Sequence, residues 1–152
     1  MRLQDTNPIN NADFLITVEG LPGVYFTTFS GIKFKANKAR YSDGLSKLRR
    51  TADGGTEEFE NVTISKPFDP EKDQAVLDFI KSKQTQGYSD LRLRPVKRAA
   101  DSTGSVFRGN KAWDLSGAKI VGWSCGEGVD TSDSSKVAMT TIEFSIESAE
   151  FK

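Results

Sequence analysis

Short runs in which apolar and polar residues strictly alternate, cut by glycine, proline and aspartate, constrain this chain more than any other feature. Phe14, Ile16 and Val18 share one parity while Leu15, Thr17 and Glu19 take the other. Near the opposite end Ile142, Phe144 and Ile146 alternate with Thr141, Glu143, Ser145 and Glu147. A period of two is that of a strand with one face buried. Gly20-Leu21-Pro22-Gly23 is a turn signal and the run from Val24 to Phe29 is β-branched and aromatic, so the first two runs read as a hairpin. After Gly31, Ile32, Phe34 and Ala36 alternate with Lys33, Lys35 and Asn37, an apolar face against a cationic one.

Between Lys38 and Thr56 the apolar pattern stops, leaving two Asp-Gly turns, Asp43-Gly44 and Asp53-Gly54, around Lys47, Arg49 and Arg50. Such a segment cannot pack as core, and is either a disordered loop or an arm whose partner lies on another chain. Strand character returns in EEFENVTISK from Glu57, where the parity of Phe59 disagrees with that of Val62 and Ile64 and suggests a bulge or a strand covered on both faces. Alternation sets Glu57 opposite Glu58 and Glu60, which makes a charged strand face rather than an acid/base pair.

One helix is expected over residues 69–85. Asp69 is placed as N-cap and Pro70 at the first helical position. Glu71 and Asp73 in the first turn and Lys81 and Lys83 in the last suit the helix dipole. Val76, Leu77 and Ile80 form the apolar stripe, with Phe79 at its flank, and Gly87 ends the element. Beyond it, Leu91 and Leu93 alternate with Arg92 and Arg94, Trp113 and Trp123 read as core or interface anchors, and AKIVGWSC pairs with KVAMTTIEFSIESAEF across the turn-rich loop from Gly126 to Ser135. The sum is a mainly β fold, an antiparallel sandwich or barrel of about seven or eight strands with one α-helix packed on it.

At 152 residues this is one domain with one core, preceded by a polar segment over residues 1–12. Its chemistry is narrow. No histidine is present, which removes the Ser-His-Asp triad, the Cys-His pair and histidine-bearing zinc sites, and the single Cys125 excludes an internal disulfide or an all-cysteine metal centre within one chain. Asp130 and Asp133 sit in ordinary turn chemistry rather than a calcium loop. No catalytic residue, cofactor site or metal site is expected, and Cys125 reads as a buried or idle thiol. No run approaches the roughly 18 apolar residues of a membrane helix, and the first residues lack the pattern of an export signal.

Lys and Arg number 21, and so do Asp and Glu, but the charge is segmental. Residues 31–50 hold seven basic and one acidic residue, 51–60 four acidic and no basic, 91–111 six basic and one acidic, and 112–152 three basic and seven acidic. Alternating blocks let one copy present complementary charge to another. The same basic stretches leave a small β-barrel nucleic-acid-binding module as an alternative.

The order of these features resembles the tail-tube proteins of contractile bacteriophages and their relatives in pyocins and other contractile injection systems. FLITVEGLPGVYFTTFSGIKF is similar to the family's opening hairpin, with Phe26-Thr27-Thr28-Phe29-Ser30-Gly31-Ile32 in place of its "F-S-x-V-S-G-L" segment. Tyr41-Ser42-Asp43-Gly44 is similar to the entry into the family's long arm, and Gly54-Gly55 with Phe59-Glu60-Asn61-Val62-Thr63-Ile64 to the return strand; an Asp-led helix follows in both, here with Phe79 where Trp is common.

The resemblance implies six copies in a ring with a continuous inner β-barrel, rings stacked into a hollow conduit within a contractile sheath, and DNA passing through the lumen without specific binding. It implies a structural, non-enzymatic role in a virion tail made in the host bacterial cytoplasm. The partners would be copies of the chain itself, a sheath protein, a tape-measure protein, the baseplate and a tail terminator. The alternative within the same class is the tube of a DNA-free device, pyocin-like or like type VI secretion. On this reading the arm of residues 38–56 makes subunit and ring-to-ring contacts through Tyr41, Asp43, Gly44, Lys47, Arg49, Arg50, Asp53 and Gly54, against acidic groups such as Glu57 and Glu58. Thr17, Glu19, Glu143 and Glu147 face the lumen, and Glu71, Asp78 and Lys81 on the outer helix face the sheath.

Overall fold

The computed structural model describes residues 9–36, 39–42, 49–52, 57–84, 87–98 and 105–152. In chain order the strands are β1 (Phe14–Val18), β2 (Thr28–Phe29), β3 (Phe34–Ala36), β4 (Ala39–Ser42), β5 (Arg49–Ala52), β6 (Glu57–Phe59) and β7 (Val62–Pro67). After helix α1 (Gln74–Lys83) come β8 (Leu91–Arg98), β9 (Ser105–Phe107), β10 (Trp113–Ser116), β11 (Lys119–Cys125), β12 (Met139–Ser145) and β13 (Ser148–Phe151). Thirteen strands among the described residues exceed the seven or eight counted from the sequence, because several runs break into pieces that serve different sheets.

Two antiparallel sheets face one another. The first runs β1-β8-β10-β13 with β9 on the far end of β8, and the second runs β11-β12-β7-β2. Alternation decides what lies between them. Ile16 and Val18 from β1, Leu91 and Leu93 from β8 and Leu115 from β10 meet Val62, Ile64, Ile120, Ile142 and Phe144 from the second sheet in one buried cluster. Each such side chain contributes about 2 kcal/mol on leaving water, so this layer holds the sheets together.

The expected hairpin between the first two runs does not form. β1 pairs with β8, Ile16 opposite Leu93, and touches the second run only at an isolated bridge between Ile16 and Phe26. The chain then crosses to the other sheet, where Thr28 lies opposite Ser65. The last hairpin forms as expected, with Trp123 opposite Ile142 and a register shift between Ile120 and Gly122. The shift leaves Val121 as an extra residue, consistent with a glycine inside a strand marking a bulge.

Next in the chain come two separate two-stranded antiparallel pairs. β3 pairs with β6, Phe34 opposite Phe59, and β4 pairs with β5, Tyr41 opposite Arg50. Among the described residues of the arm, 39–42 and 49–52 therefore form a two-stranded antiparallel pair. Gly31, at φ +107, marks the break between β2 and β3, a conformation glycine adopts without steric cost. The parity change at Phe59 marks the gap between β6 and β7. Phe34, which shares the apolar parity of Ile32, is exposed rather than core and rests edge-on against Phe59, ring centroids 5.4 Å apart.

The helix begins later than the Asp69-Pro70 signal suggests. Asp69 Oδ1 accepts a bond from the Glu71 N–H at 2.9 Å, but what it caps is a turn over residues 70–73, and Asp73 takes the N-cap position. Glu71 and Asp73 thus precede the first helical turn, while Lys81 and Lys83 do occupy the last. Val76, Phe79 and Ile80 are the buried face, so Phe79 belongs to the stripe and half-buried Leu77 to its flank.

Candidate functional site

The described residues contain no cluster of metal-ligating side chains. The acidic loop between β11 and β12 is occupied with itself. Asp130 Oδ1 accepts from the Ser132 N–H at 3.0 Å and its hydroxyl at 2.6 Å, and Asp133 Oδ1 accepts likewise from Ser135 at 3.0 and 2.5 Å. These serine hydroxyl and backbone donors hold both carboxyls below the usual carboxylate range. Cys125 is exposed rather than buried, with Sγ 3.7 Å from Thr140 Oγ1.

What the fold does offer is surface for association. The second sheet ends in β11 on one side and in β2 on the other. An edge strand carries unpaired N–H and C=O groups that another strand can take up. On β11 the edge also exposes apolar area, with Val121 52% and Trp123 48% accessible. Trp113, by contrast, packs on the core and against Phe151, ring centroids 5.4 Å apart.

The solvent face of the second sheet is polar and hydroxyl-rich. Rows across it place Thr28, Ser65, Thr141 and Ser124 in line, and Thr63, Glu143 and Gly122 in the next. The Thr28 and Ser65 hydroxyls touch, and Asn61 Nδ2 donates to Glu143 Oε1 at 3.1 Å. Glu143 is thus the acid on this face, oriented by Asn61.

The structure does not bring the other expected lumen residues to the same surface. Thr17 lies on the outer face of the first sheet opposite Arg92, whose Nε is 3.4 Å from Asp114 Oδ1. Glu19 follows β1, its N–H bonded to the Asp90 carbonyl at 2.9 Å. Glu147 sits in the passage from β12 to β13, over Gly117. The outer faces of two packed sheets point in opposite directions, so Thr17 and Glu143 cannot line one channel of a single subunit wall.

Of the arm residues, Tyr41, Arg49 and Arg50 lie on β4 and β5, while Asp43, Gly44, Lys47, Asp53 and Gly54 fall outside the described residues. Glu57 and Glu58 are on β6, facing Ala36 and Lys35 across the ladder. Asp78 and Lys81 are exposed on α1; Glu71 is exposed in the turn before it. Asp78 Oδ1 accepts from Gln74 Nε2 at 3.0 Å.

Asp78 also borders a groove of about 780 Å³ between α1 and the Gly20 turn, lined by Leu21, Val24, Phe79, Glu19 and Tyr88 among others. The groove brings together residues from distant parts of the chain, and no local sequence pattern marks it. The apolar β11 edge had a signal in Ile120-Val121-Gly122, where two adjacent apolar residues break the alternation.

No protein-family model and no curated protein matches the sequence. Solved structures do match in fold. A chain of the sheath/tube terminator of the extended PVC extracellular contractile injection system superposes at TM-score 0.72 and 19% identity, covering 97% of this chain and 98% of that one. A chain of the anti-feeding prophage tube-terminating cap gives 0.71 at 20% identity, covering 100% and 95%. An Hcp protein gives 0.55 at 10% identity, covering 91% and 98%. The chain has the fold found in these contractile-injection assemblies and in Hcp, over nearly its whole length.

Proposed function

We propose that this chain is a non-enzymatic structural subunit that joins copies of itself into rings, which stack into the hollow tube of a contractile injection apparatus. The observation that carries the reading is the end-to-end fold match with chains of tube-terminating and sheath–tube assemblies, covering 91–98% of those chains at TM-scores of 0.69–0.72. Two of the matched assemblies have six-fold symmetry, a baseplate of the anti-feeding prophage and the tail of an empty GTA particle, which supports six copies per ring. The physics of the sheet agrees. A sheet with unpaired edges at β11 and β2 closes when each copy's edge meets its neighbour's, and a head-to-tail contact that closes on itself removes every free edge.

On this reading the hydroxyl-rich face of the second sheet, with Glu143, lines the lumen, while Thr17, Glu19 and Glu147 lie elsewhere. The arm, with Tyr41, Arg49 and Arg50, reaches neighbouring copies, and Asp78 and Lys81 on α1 face outwards towards a sheath. A tape-measure protein, a baseplate and a terminator are the further partners. The finer reading is a phage tail tube in a virion, with DNA passing through the lumen; a DNA-free device is its alternative. A nucleic-acid-binding module gains little, since Arg92 faces Asp114 and the Arg94 guanidinium lies 3.7 Å over the Phe107 ring.

The test is assembly of the purified protein. Sedimentation and negative-stain electron microscopy over rising concentration should yield hollow rings or tubes. A chain that remains monomeric at every concentration and salt would overturn the reading.

A further inference from the structure

One row of paired residues crosses the whole of the second sheet. Phe29 on β2 faces Ile64 on β7, Ile64 faces Ile142 on β12, and Ile142 faces Trp123 on β11. Side chains directly opposite one another in antiparallel strands share a face, so all four lie on the inward side. Ile64 and Ile142 are fully buried and Phe29 is half-buried against the core, whereas the Trp123 ring is 48% accessible. The bulge at Val121 brings Trp123 to this face: Ile120 and Trp123, three residues apart, both pair with buried residues of β12. An apolar row thus ends in an aromatic ring at each edge of the sheet.

The edge that carries Trp123 is also poorly protected. Strands left free in soluble proteins are blunted by charge, shortness or cover. β13 ends its sheet with the exposed pair Glu150 and Lys152, 3.2 Å apart, and the free side of β1 is bridged by Phe26. β11 runs seven residues with Lys119 as its one charge. At the other end of the sheet, the Thr27 N–H bonds to the Ser65 carbonyl and the Ser30 N–H to the Thr63 carbonyl, which extends the β2 edge over residues 27–30.

We propose that Trp123 packs in the seam between neighbouring copies, against Phe29 of the second copy, where β11 of one lies along β2 of the next. The inference rests on the tube reading and names the side-chain contact on the buried side of the ring wall. Unpaired N–H and C=O groups along β11 choose a strand as occupant. Ring closure chooses β2, since a head-to-tail contact uses two different edges, and among the described residues those of the second sheet are β11 and β2. The two strands run antiparallel, as every neighbouring pair in this sheet does, so the alternation of faces carries across the seam. A stagger of two residues, as tilted strands in a closed barrel need, keeps both rings on the inward face and within diagonal reach. On the opposite face the ends of the hydroxyl row, Ser124 and Thr28, then come together.

The experiment uses the full chain. In Trp113→Phe the sole tryptophan is Trp123, so its emission should move to the blue and its quenching by acrylamide should fall as rings form. Trp123→Ala should raise the concentration needed for ring formation about ten-fold or more, as loss of a central aromatic anchor does. Cross-linking reads the edges without altering the inward row. In a Cys125→Ser background, separately purified Ser124→Cys and Thr28→Cys proteins should, when mixed with a short bismaleimide, give a covalent dimer that neither gives alone. A Ser124→Cys protein that cross-links to itself would mean that β11 meets β11, and would overturn the contact. Rings whose Trp123 stays open to acrylamide would overturn it too, leaving the tube reading standing. Wild-type protein that is monomeric at every concentration would overturn both.

Discussion

The Lys66 ammonium lies 2.5 Å from Asp73 Oδ2, with only 13% and 7% of the two side chains accessible, and this ion pair fastens the end of β7 to the start of α1. The same oxygen accepts the Asp69 N–H at 2.8 Å. Lys66 shares the inward parity of Ile64 and Val62, so a charged residue occupies a core-facing position and has its partner seven residues along the chain.

Burial alone would push the Asp73 carboxyl up, but the Lys66 bond and charge with the Asp69 N–H outweigh it and hold the group below the usual carboxylate range. A folded value below the unfolded one means that the pair stabilises fully above the unfolded titration near about pH 4, and that this contribution disappears as pH falls through the folded value. Asp73→Asn should therefore be less stable than wild type at neutral pH, the gap closing below about pH 4. Lys66→Met, which strands the carboxylate, should cost about 3 kcal/mol at pH 7. Urea unfolding from pH 3 to 7 measures both. A gap that stays constant across that range would refute the linkage.

Phe144 is fully buried where the two sheets meet, and its ring has no route to solvent. Phe144→Ala should destabilise the monomer by about 3–5 kcal/mol, with Ile142→Val costing about 1 kcal/mol at the neighbouring inward position of β12. Chemical denaturation of the two variants gives both figures, and equal losses would mean that the core collapses around the cavity.

Gly117 turns the chain from β10 towards β11 at φ +67, and a Cβ there would stand 2.6 Å from the Glu147 carboxyl. Two costs add in Gly117→Ala: left-handed backbone, about 1 kcal/mol for a residue bearing Cβ, and displacement of Glu147. The second is cheap because the carboxyl is the flexible, exposed end of its side chain. Glu147→Ala in the Gly117→Ala background should therefore recover little of a loss of about 1–2 kcal/mol. Full recovery in thermal unfolding would assign the cost to the clash instead.

Where one strand sufficed, the sequence was legible. The inward set Ile16 and Val18, and Ile142, Phe144 and Ile146, is buried as its parity requires, since alternation is a property of a single run. Pairing is a property of two runs. Nothing local told β1 to join β8 across more than seventy residues, and the adjacent turn argued for a hairpin that the crossing between sheets replaced. The same limit governed the candidate site. Thr17 and Glu143 were each placed correctly on the polar face of their own strand, yet those strands belong to different sheets, and only the fold separates them. Lys66 misleads any binary pattern because its partner sits on the following turn. The groove, made from Leu21, Phe79 and Tyr88, has no linear signature at all.

Val121 offers the last test, because on β11 it serves neither the core nor the ladder. The bulge that leaves it unpaired also turns it outwards on the edge strand of the second sheet, where 52% of it is accessible. A lysine at such a position costs a monomer little, within about 0.5 kcal/mol, since the site is half open and a lysine stem can reach solvent. The same lysine on an edge that must accept a neighbour's strand places an unpaired charge at the seam, the device by which natural edge strands refuse pairing. Val121→Lys should accordingly keep the wild-type melting temperature and lose ring formation at concentrations where wild type assembles. Val121→Thr, which keeps the branched shape without charge, should assemble. Sedimentation velocity on the three proteins reads the difference, and rings formed equally by Val121→Lys would exclude β11 as the closing edge.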